Sequence, residues 1–331
     1  MKIFVESPKD ETSSSFLTEE NIKRINALGE VTWNTTDHHL TPHELREALH
    51  DVDVCICGWY VPKFDGYVLE KAEKLKLIAY MGGSVNGVVS EAMYKKGIRI
   101  VAGNEAFARS VAEGTMTYIL CSQRRVREYE QDMRRDGWGP WPFFTESLLE
   151  KTVGLVGFGA VSYHLVEMLR PFSVHIKVFS NHLTSADAEK LGVEKATLEE
   201  VFSQCDIVSL HCANSPQNYH LVGEHFLKMM RNGALLVNTS RGTVLDEMAL
   251  ARHVCNGRIR AALDVFEQEP PAMDSPLRSA PTVLLQPHLG GPTTDQRPVA
   301  ARIVIEDVER FKNGLELKYE VAYARAKTMS E

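Results

Sequence analysis

Short apolar runs alternate with helix-patterned stretches along most of this chain, and that alternation restricts the fold more than any other feature. Strands are predicted at Lys2–Glu6, Val31–Asn34, Val52–Cys57, Leu75–Met81 and Ile98–Ala102, with helices between them over Thr18–Leu28, Thr41–Leu49, Asp65–Ala72 and Asn86–Lys95. Thr41-Pro42-His43-Glu44 carries an N-cap, a proline at the first helical position and an acidic first turn. A long helix is predicted over Arg109–Arg134, then an aromatic loop from Gly137 to Phe144. A second strand series follows at Thr152–Val156, His175–Phe179, Ile207–His211, Ala234–Asn238, Arg260–Leu263 and Thr282–Leu285. Val304, Val308 and Phe311, spaced i, i+4, i+7 between Pro298 and Gly314, mark a closing helix. Repeated strand–helix units require parallel sheets with helices on both faces. At 331 residues the chain exceeds the usual size of one domain. The expectation is an α/β protein of two doubly wound parallel-sheet domains, closely packed with a cleft between them.

Composition removes several function classes. The net charge of −7 offers no basic footprint for nucleic acid or an anionic membrane surface. No apolar run reaches the length of a membrane span, and Met1-Lys2-Ile3-Phe4-Val5-Glu6 reads as a first strand rather than a signal peptide. The cysteines, Cys55, Cys57, Cys121, Cys205, Cys212 and Cys255, form no C-x-x-C pair and read as buried thiols of a reducing compartment. His38-His39 lacks nearby cysteines or a spaced carboxylate and reads as loop surface. A cytoplasmic protein with no metal, no nucleic acid and no membrane partner is expected.

The chemistry begins at Gly154-Leu155-Val156-Gly157-Phe158-Gly159-Ala160-Val161-Ser162, which runs from a buried strand into a helix over Tyr163–Leu169. Gly157 permits the tight turn, and Gly159 lets a pyrophosphate approach the backbone at the helix N-terminus. Ser162 stands where a third glycine is usual and is small enough for close helix–strand packing. The next strand normally ends in a carboxylate that binds a ribose. Here it ends in Phe179-Ser180-Asn181-His182, so nothing repels a 2′-phosphate, and NAD or NADP is the expected cofactor.

Doubly wound sheets bind ligands beyond their strand C-termini. Three successive ends carry polar residues: Asn238-Thr239-Ser240-Arg241-Gly242, then Asp264-Val265-Phe266-Glu267-Gln268-Glu269-Pro270, then Gln286-Pro287-His288-Leu289-Gly290-Gly291. Taken singly, each reads as a surface ion pair or a satisfied histidine. Together they place Arg, Glu and His on one rim.

Across nearly its whole length the chain resembles the D-isomer-specific 2-hydroxyacid dehydrogenase family. The matching stretches are Ser110-Val111-Ala112-Glu113, Thr152–Gly159, Asn238–Glu247, Ala262–Pro270 and Pro287–Gly291. The resemblance implies a flavodoxin-like substrate domain formed by residues 1–105 and 289–331, and a Rossmann dinucleotide-binding domain over 106–288. It implies Arg241, Glu269 and His288 as catalytic residues, with Glu267 the nearest false match for the acid. Implied cofactor contacts are Gly157, Gly159, Ala160, Val161, Ser180, Asn181, His211, Thr239, Ser240, Arg241, Asp264, His288, Gly290 and Gly291. Gly82, Gly83 and Ser84 stand where the family has a glycine-rich carboxylate-binding loop, and with Arg241 they are the expected substrate contacts. Departures at Ser162, Ser180 and Gly82-Gly83-Ser84-Val85-Asn86 bear on coenzyme and substrate rather than on chemistry.

Reducing a 2-oxo acid builds negative charge on the keto oxygen as hydride arrives. His288 as imidazolium donates the proton, and the neutral ring accepts it in oxidation. A carboxylate at the other ring nitrogen, the role of Glu269, fixes the tautomer, while Arg241 is a forked donor to the substrate. The expected function is hydride transfer between NAD(P) and a small D-2-hydroxy/2-oxo acid, of glyoxylate or hydroxypyruvate type. The alternatives are a dinucleotide-sensing, corepressor-like scaffold and a short-form phosphoglycerate dehydrogenase. Its long form is disfavoured because only Leu289 to Glu331 follow His288. The resemblance implies a two-fold homodimer contact at the helix over Arg109–Arg134 and the Trp138/Trp141 loop; the alternative is that these tryptophans cover the protein's own core.

Overall fold

The computed structural model describes residues 1–138 and 144–329. They form two compact units, one of Met1–Ala108 with Pro292–Glu331 and one of Arg109–Gly291. The breaks expected after residues 105 and 288 fall just before these.

The first unit holds β1 (Lys2–Val5), β2 (Glu30–Trp33), β3 (Val54–Cys57), β4 (Leu77–Tyr80) and β5 (Arg99–Ala102), in the order β2-β1-β3-β4-β5 with every pair parallel. This is the flavodoxin-like order, with its switch point between β1 and β3. Side chains alternate across the sheet. Ile3, Val5 and Ala79 pack against the helix Arg297–Lys312 through Val304 and Val308, while Phe4 and Ile78 face Leu45, Phe64 and Met93. Both faces are covered, which explains strands such as Val54-Cys55-Ile56-Cys57 that are apolar throughout.

The second unit holds β6 (Thr152–Val156), β7 (His175–Phe179), β8 (Glu194–Lys195), β9 (Ile207–Leu210), β10 (Leu235–Asn238), β11 (Arg260–Leu263) and β12 (Val283–Leu285), in the order β12-β11-β10-β9-β6-β7-β8. All pairs are parallel. The order reverses between β6 and β9, as in Rossmann sheets. Leu155, Ile207, Leu235 and Val237 fill one face, and Val156, Val208, Leu210 and Leu236 the other.

Several local expectations are corrected. The helix expected over Arg109–Arg134 is two, Asn104–Arg124 and Val126–Asp136, broken at Arg125, whose φ of +51° is left-handed. Asp65–Ala72 forms turns rather than a helix, with the Asp65 carboxylate accepting from the Tyr67 and Val68 amides at 2.9 and 3.0 Å. The helix expected over Asn86–Lys95 is only Glu91–Lys95, capped by Ser90. Glu11–Phe16 is an unanticipated helix, its Asp10 cap offsetting a serine-rich interior of low propensity. His39 is not loop surface: its ring is drawn in between Glu6 and Asp10, at 3.5 Å from each carboxylate. All six cysteines are free, yet Cys121 and Cys212 are half-buried and Cys255 is exposed. Trp141 lies outside the described residues, within which no helix is long and apolar enough to cross a membrane.

Candidate active site

The turn after β6 is built around two glycines. Gly157 has φ +99°, and a Cβ there would meet the His211 carbonyl oxygen at 2.7 Å, so no side chain fits. Gly159 starts the helix Ala160–Leu169, and its Cβ direction faces open space. That helix has neither a side-chain cap nor an acidic residue in its first turn. Its leading amides remain available to an anion, as a dinucleotide pyrophosphate requires. Ser162 is fully buried and donates its hydroxyl to the Gly157 carbonyl at 3.0 Å, which accounts for a polar residue where glycine is usual. Ala160 and Val161 form the first helical positions.

β7 ends without a carboxylate. The Ser180 hydroxyl is turned into its own loop and accepts from the His182 amide at 3.1 Å, leaving Asn181 and His182 exposed. His211, beyond β9, lies 2.9 Å from the Ser209 hydroxyl through Nε2, and burial pushes its pKa down to about 4. A neutral ring therefore lines the switch point at physiological pH.

β10 ends in the fully buried Asn238, whose side chain ties the next three residues together. Its Oδ1 accepts from the Ser240 amide and hydroxyl at 3.0 and 2.8 Å, and its Nδ2 donates to the Arg241 carbonyl at 3.0 Å. The half-buried Arg241 donates from Nη1 to the Ser240 carbonyl at 2.8 Å. Burial lowers the Arg241 pKa, and the charge of Glu269 opposes that shift. Gly242 lies so close to the Phe266 backbone that a Cβ would overlap it at 1.8 Å, and this contact holds the loops after β10 and β11 together.

Asp264, directly after β11, is 2 % exposed and saturated with donors. It accepts from the Leu289 and Gly290 amides at 2.8 Å each and from the Tyr118 hydroxyl at 3.0 Å. The His288 amide donates to the Asp264 carbonyl at 2.9 Å. Asp264 thus anchors the whole 288–290 turn, in which His288 adopts a left-handed φ of +56°. From that turn the His288 Nδ1 reaches Glu269 Oε2 at 2.7 Å, while Glu269 Oε1 accepts from the Phe266 amide at 3.1 Å. Glu267 points elsewhere, to His220 at 3.0 Å.

The structure therefore brings together Arg241, Glu269, His288, Asp264, Thr239, Gly290 and the Gly157–Gly159 turn within one unit. Gly82, Gly83 and Ser84 follow β4 in the other unit. There Gly82 accepts from the Gly103 amide at 2.9 Å, and Cβ atoms on Gly82 and Gly83 would press against Tyr80 and Phe107. Sequence reasoning missed Thr115, whose hydroxyl meets that of Thr239 at 2.7 Å, and Tyr118 beneath Asp264. Their i, i+3 spacing on the helix Asn104–Arg124 was the available signal. Gly114, directly before Thr115, lets that helix touch the Gly290 backbone.

Residues 116–290 match the NAD binding domain of the D-isomer specific 2-hydroxyacid dehydrogenases. The chain is 34% identical over 300 residues to the D-3-phosphoglycerate dehydrogenase of Methanocaldococcus jannaschii, covering 90% of this chain and 56% of that protein. It is 31% identical over 308 residues to the glyoxylate reductase of Thermococcus litoralis, covering 90% of this chain and 92% of that protein. The chain thus spans about half the length of the phosphoglycerate dehydrogenases it matches. In fold it is similar to the crystal structure of a glyoxylate reductase from Paecilomyes thermophila, with a TM-score of 0.80 at 20% identity over 98% of this chain and 99% of that one. Two parallel sheets of flavodoxin-like and Rossmann order, a glycine turn at the switch point and these matches lead to one assignment: the chain belongs to the D-isomer specific 2-hydroxyacid dehydrogenase family.

Proposed function

We propose that the protein is an NAD(P)-dependent D-2-hydroxyacid dehydrogenase that reduces small 2-oxo acids of the glyoxylate or hydroxypyruvate type. The observation that carries this reading is the His288–Glu269 pair at 2.7 Å, held on the same rim as a half-buried arginine. A bound nicotinamide dinucleotide supplies the hydride, and the open face of Gly159 with the uncapped helix behind it fits the pyrophosphate. Arg241 binds the substrate carboxylate and keto oxygen through its planar fork. His288 gives its Nε2 proton to the keto oxygen as charge develops there, and takes it back in oxidation. Glu269 orients the ring through its contact with Nδ1. Residues 106–288 form the dinucleotide-binding domain, and 1–105 with 289–331 the substrate domain. Gly82, Gly83 and Ser84 contribute backbone donors to the substrate carboxylate.

The absence of a carboxylate at Ser180-Asn181-His182 supports relaxed coenzyme choice. A cytoplasmic location is supported by the free cysteines, and a homodimer by the helix Val126–Asp136, which buries no residue in its own chain and leaves Val126 and Met133 exposed, with Trp138 exposed beyond its end. Light scattering should report a dimer at micromolar concentration, and a monomer there refutes this assembly.

The deciding experiment is a matrix of kcat/KM for NADH and NADPH against glyoxylate, hydroxypyruvate, phosphohydroxypyruvate and pyruvate. Turnover with one of the first two is expected, with NADPH used comparably to NADH. Coenzyme binding without turnover of any 2-oxo acid supports a sensing scaffold instead. Preference for phosphohydroxypyruvate moves the substrate toward that of the phosphoglycerate dehydrogenases. A preference for NADH above about 100-fold, near 2.7 kcal/mol, defeats the coenzyme reading.

A further inference from the structure

The second unit carries another polar constellation, built from groups that the proposed hydride chemistry does not use. His220 precedes the bridge between Val222 and Leu245, Asp246 caps the helix Glu247–Val254, and Glu267 lies in the loop after β11. One nitrogen of His220 and one oxygen from each carboxylate lie within 4.8 Å of one another. His220 is held at both ring and backbone. Tyr219 stacks on it at 4.1 Å and 11°, and the His220 amide donates to the Thr243 carbonyl at 2.8 Å while its φ is held at +48°. Asp246 uses Oδ1 to accept from the Ala249 amide at 2.8 Å, which orients the carboxylate and leaves its second oxygen free of that cap.

Two features distinguish this cluster from a surface ion pair. His220 Nε2 approaches Glu267 Oε1 at 3.0 Å, yet that buried nitrogen makes no hydrogen bond, so the contact lacks the alignment a proton between the two would give. Donors roughly 2.0–2.2 Å from one zinc ion lie about 3.3 Å apart, so at 3.0 Å the two atoms are close enough to share a cation. Negative charge is also in excess. Glu247 crowds the same place, its amide donating to Glu267 Oε1 at 3.2 Å and its carboxylate accepting from the Glu267 amide at 2.6 Å.

We propose that His220, Asp246 and Glu267 form a binding site for a zinc-class divalent cation, with one imidazole nitrogen and two carboxylate oxygens as ligands and water completing the shell. One nitrogen and two oxygens suit zinc better than calcium or magnesium, which take oxygen sets. The site is separate from Glu269, which spends its carboxylate on His288 and the Phe266 amide. It therefore stands or falls independently of the proposed oxidoreduction.

The test uses the full-length, chelator-stripped protein and zinc chloride alone. Calorimetric titration should show one zinc per chain, accompanied by a rise in melting temperature. His220→Gln and Asp246→Asn should each weaken binding by at least about tenfold and abolish the thermal shift. Asp246→Asn retains the helix cap, so it separates loss of a ligand from loss of the helix. Circular dichroism confirms that both variants fold. Absence of binding in the wild type overturns the site. So does wild-type stoichiometry and affinity in both variants, which would place the zinc at another histidine–carboxylate pair such as His253 and Glu224.

Discussion

The two units present their strand ends in opposite ways. Beyond β10, β11 and β12 the side chains that hold the His288 turn are saturated: Asn238 and Asp264 each engage three groups, and His288 is fixed at backbone and ring. Beyond β1 and β3, at the switch point of the first unit, they are not. Among the described residues, the fully buried Glu6 accepts only from the Leu40 amide at 3.1 Å through Oε1, and its Oε2 has no hydrogen-bond partner there. Neither His39 ring nitrogen makes a hydrogen bond, and Arg297 leaves Nε unsatisfied while it stacks over Trp59 at 5.1 Å. Saturation fixes a single geometry, whereas buried charge without directional partners retains sensitivity to protonation. One rim is built for position and the other for charge.

The comparison can be broken at several points. The largest effect is expected at His288. His288→Asn should lower kcat by about 10²–10⁴-fold with coenzyme affinity retained, and asparagine tolerates the left-handed backbone there. Near-normal turnover in steady-state assays removes His288 from the acid–base role. Asp264→Asn should come next. Asparagine keeps one acceptor oxygen but loses charge, so the 288–290 turn should loosen. Urea unfolding should show a loss of roughly 2–3 kcal/mol, the scale for buried charge-assisted hydrogen bonds, together with reduced kcat. An unchanged unfolding curve means the turn is held without it.

Arg241→Lys keeps the charge but loses the fork, and should raise KM and lower kcat/KM for 2-oxo acids; unaltered kinetics would make Arg241 structural only. Glu269→Gln keeps a hydrogen-bonding group beside the ring but loses its charge, and should lower kcat for 2-oxo acids with KM little changed. Unaltered kcat implies that the 2.7 Å contact does not act in turnover.

The smallest effect tests the other rim. Burial raises the Glu6 pKa, so the folded state holds that proton more tightly than the unfolded chain does. Stability from this group is therefore present below the ordinary carboxylate range and is lost as pH rises through the raised value. Glu6→Gln should flatten that part of the stability–pH curve, measured by thermal unfolding across the acid-to-neutral range. A slope equal to that of the wild type would show that Glu6 is not its source.

Much of this organisation was legible in the sequence because both sheets are covered on both faces. Runs such as Val54–Cys57 and Leu235–Asn238 admit few readings once helices alternate with them. The Gly157 turn was equally plain, since only glycine survives beside His211. What stayed hidden depended on backbone conformation or on contacts distant in sequence. Nothing local marks Arg125 as the residue that turns left-handed and splits a long amphipathic pattern. His39 looked superficial because its partners, Glu6 and Asp10, come from another strand and helix. Glu267 and Glu269 are two residues apart in similar company. Only the three-dimensional arrangement gives one to His220 and the other to His288.

The left-handed backbone of His288 sets protein stability against the chemistry at this one position. At φ +56° a side chain costs about 1–2 kcal/mol that glycine would not incur. The most comfortable residue for this turn is therefore one that can neither hold nor deliver a proton. A selection scheme that rewards heat resistance alone would drift toward glycine at 288 and return a sturdier, inert protein. Screens for hardier variants should keep turnover under selection whenever this turn is allowed to vary.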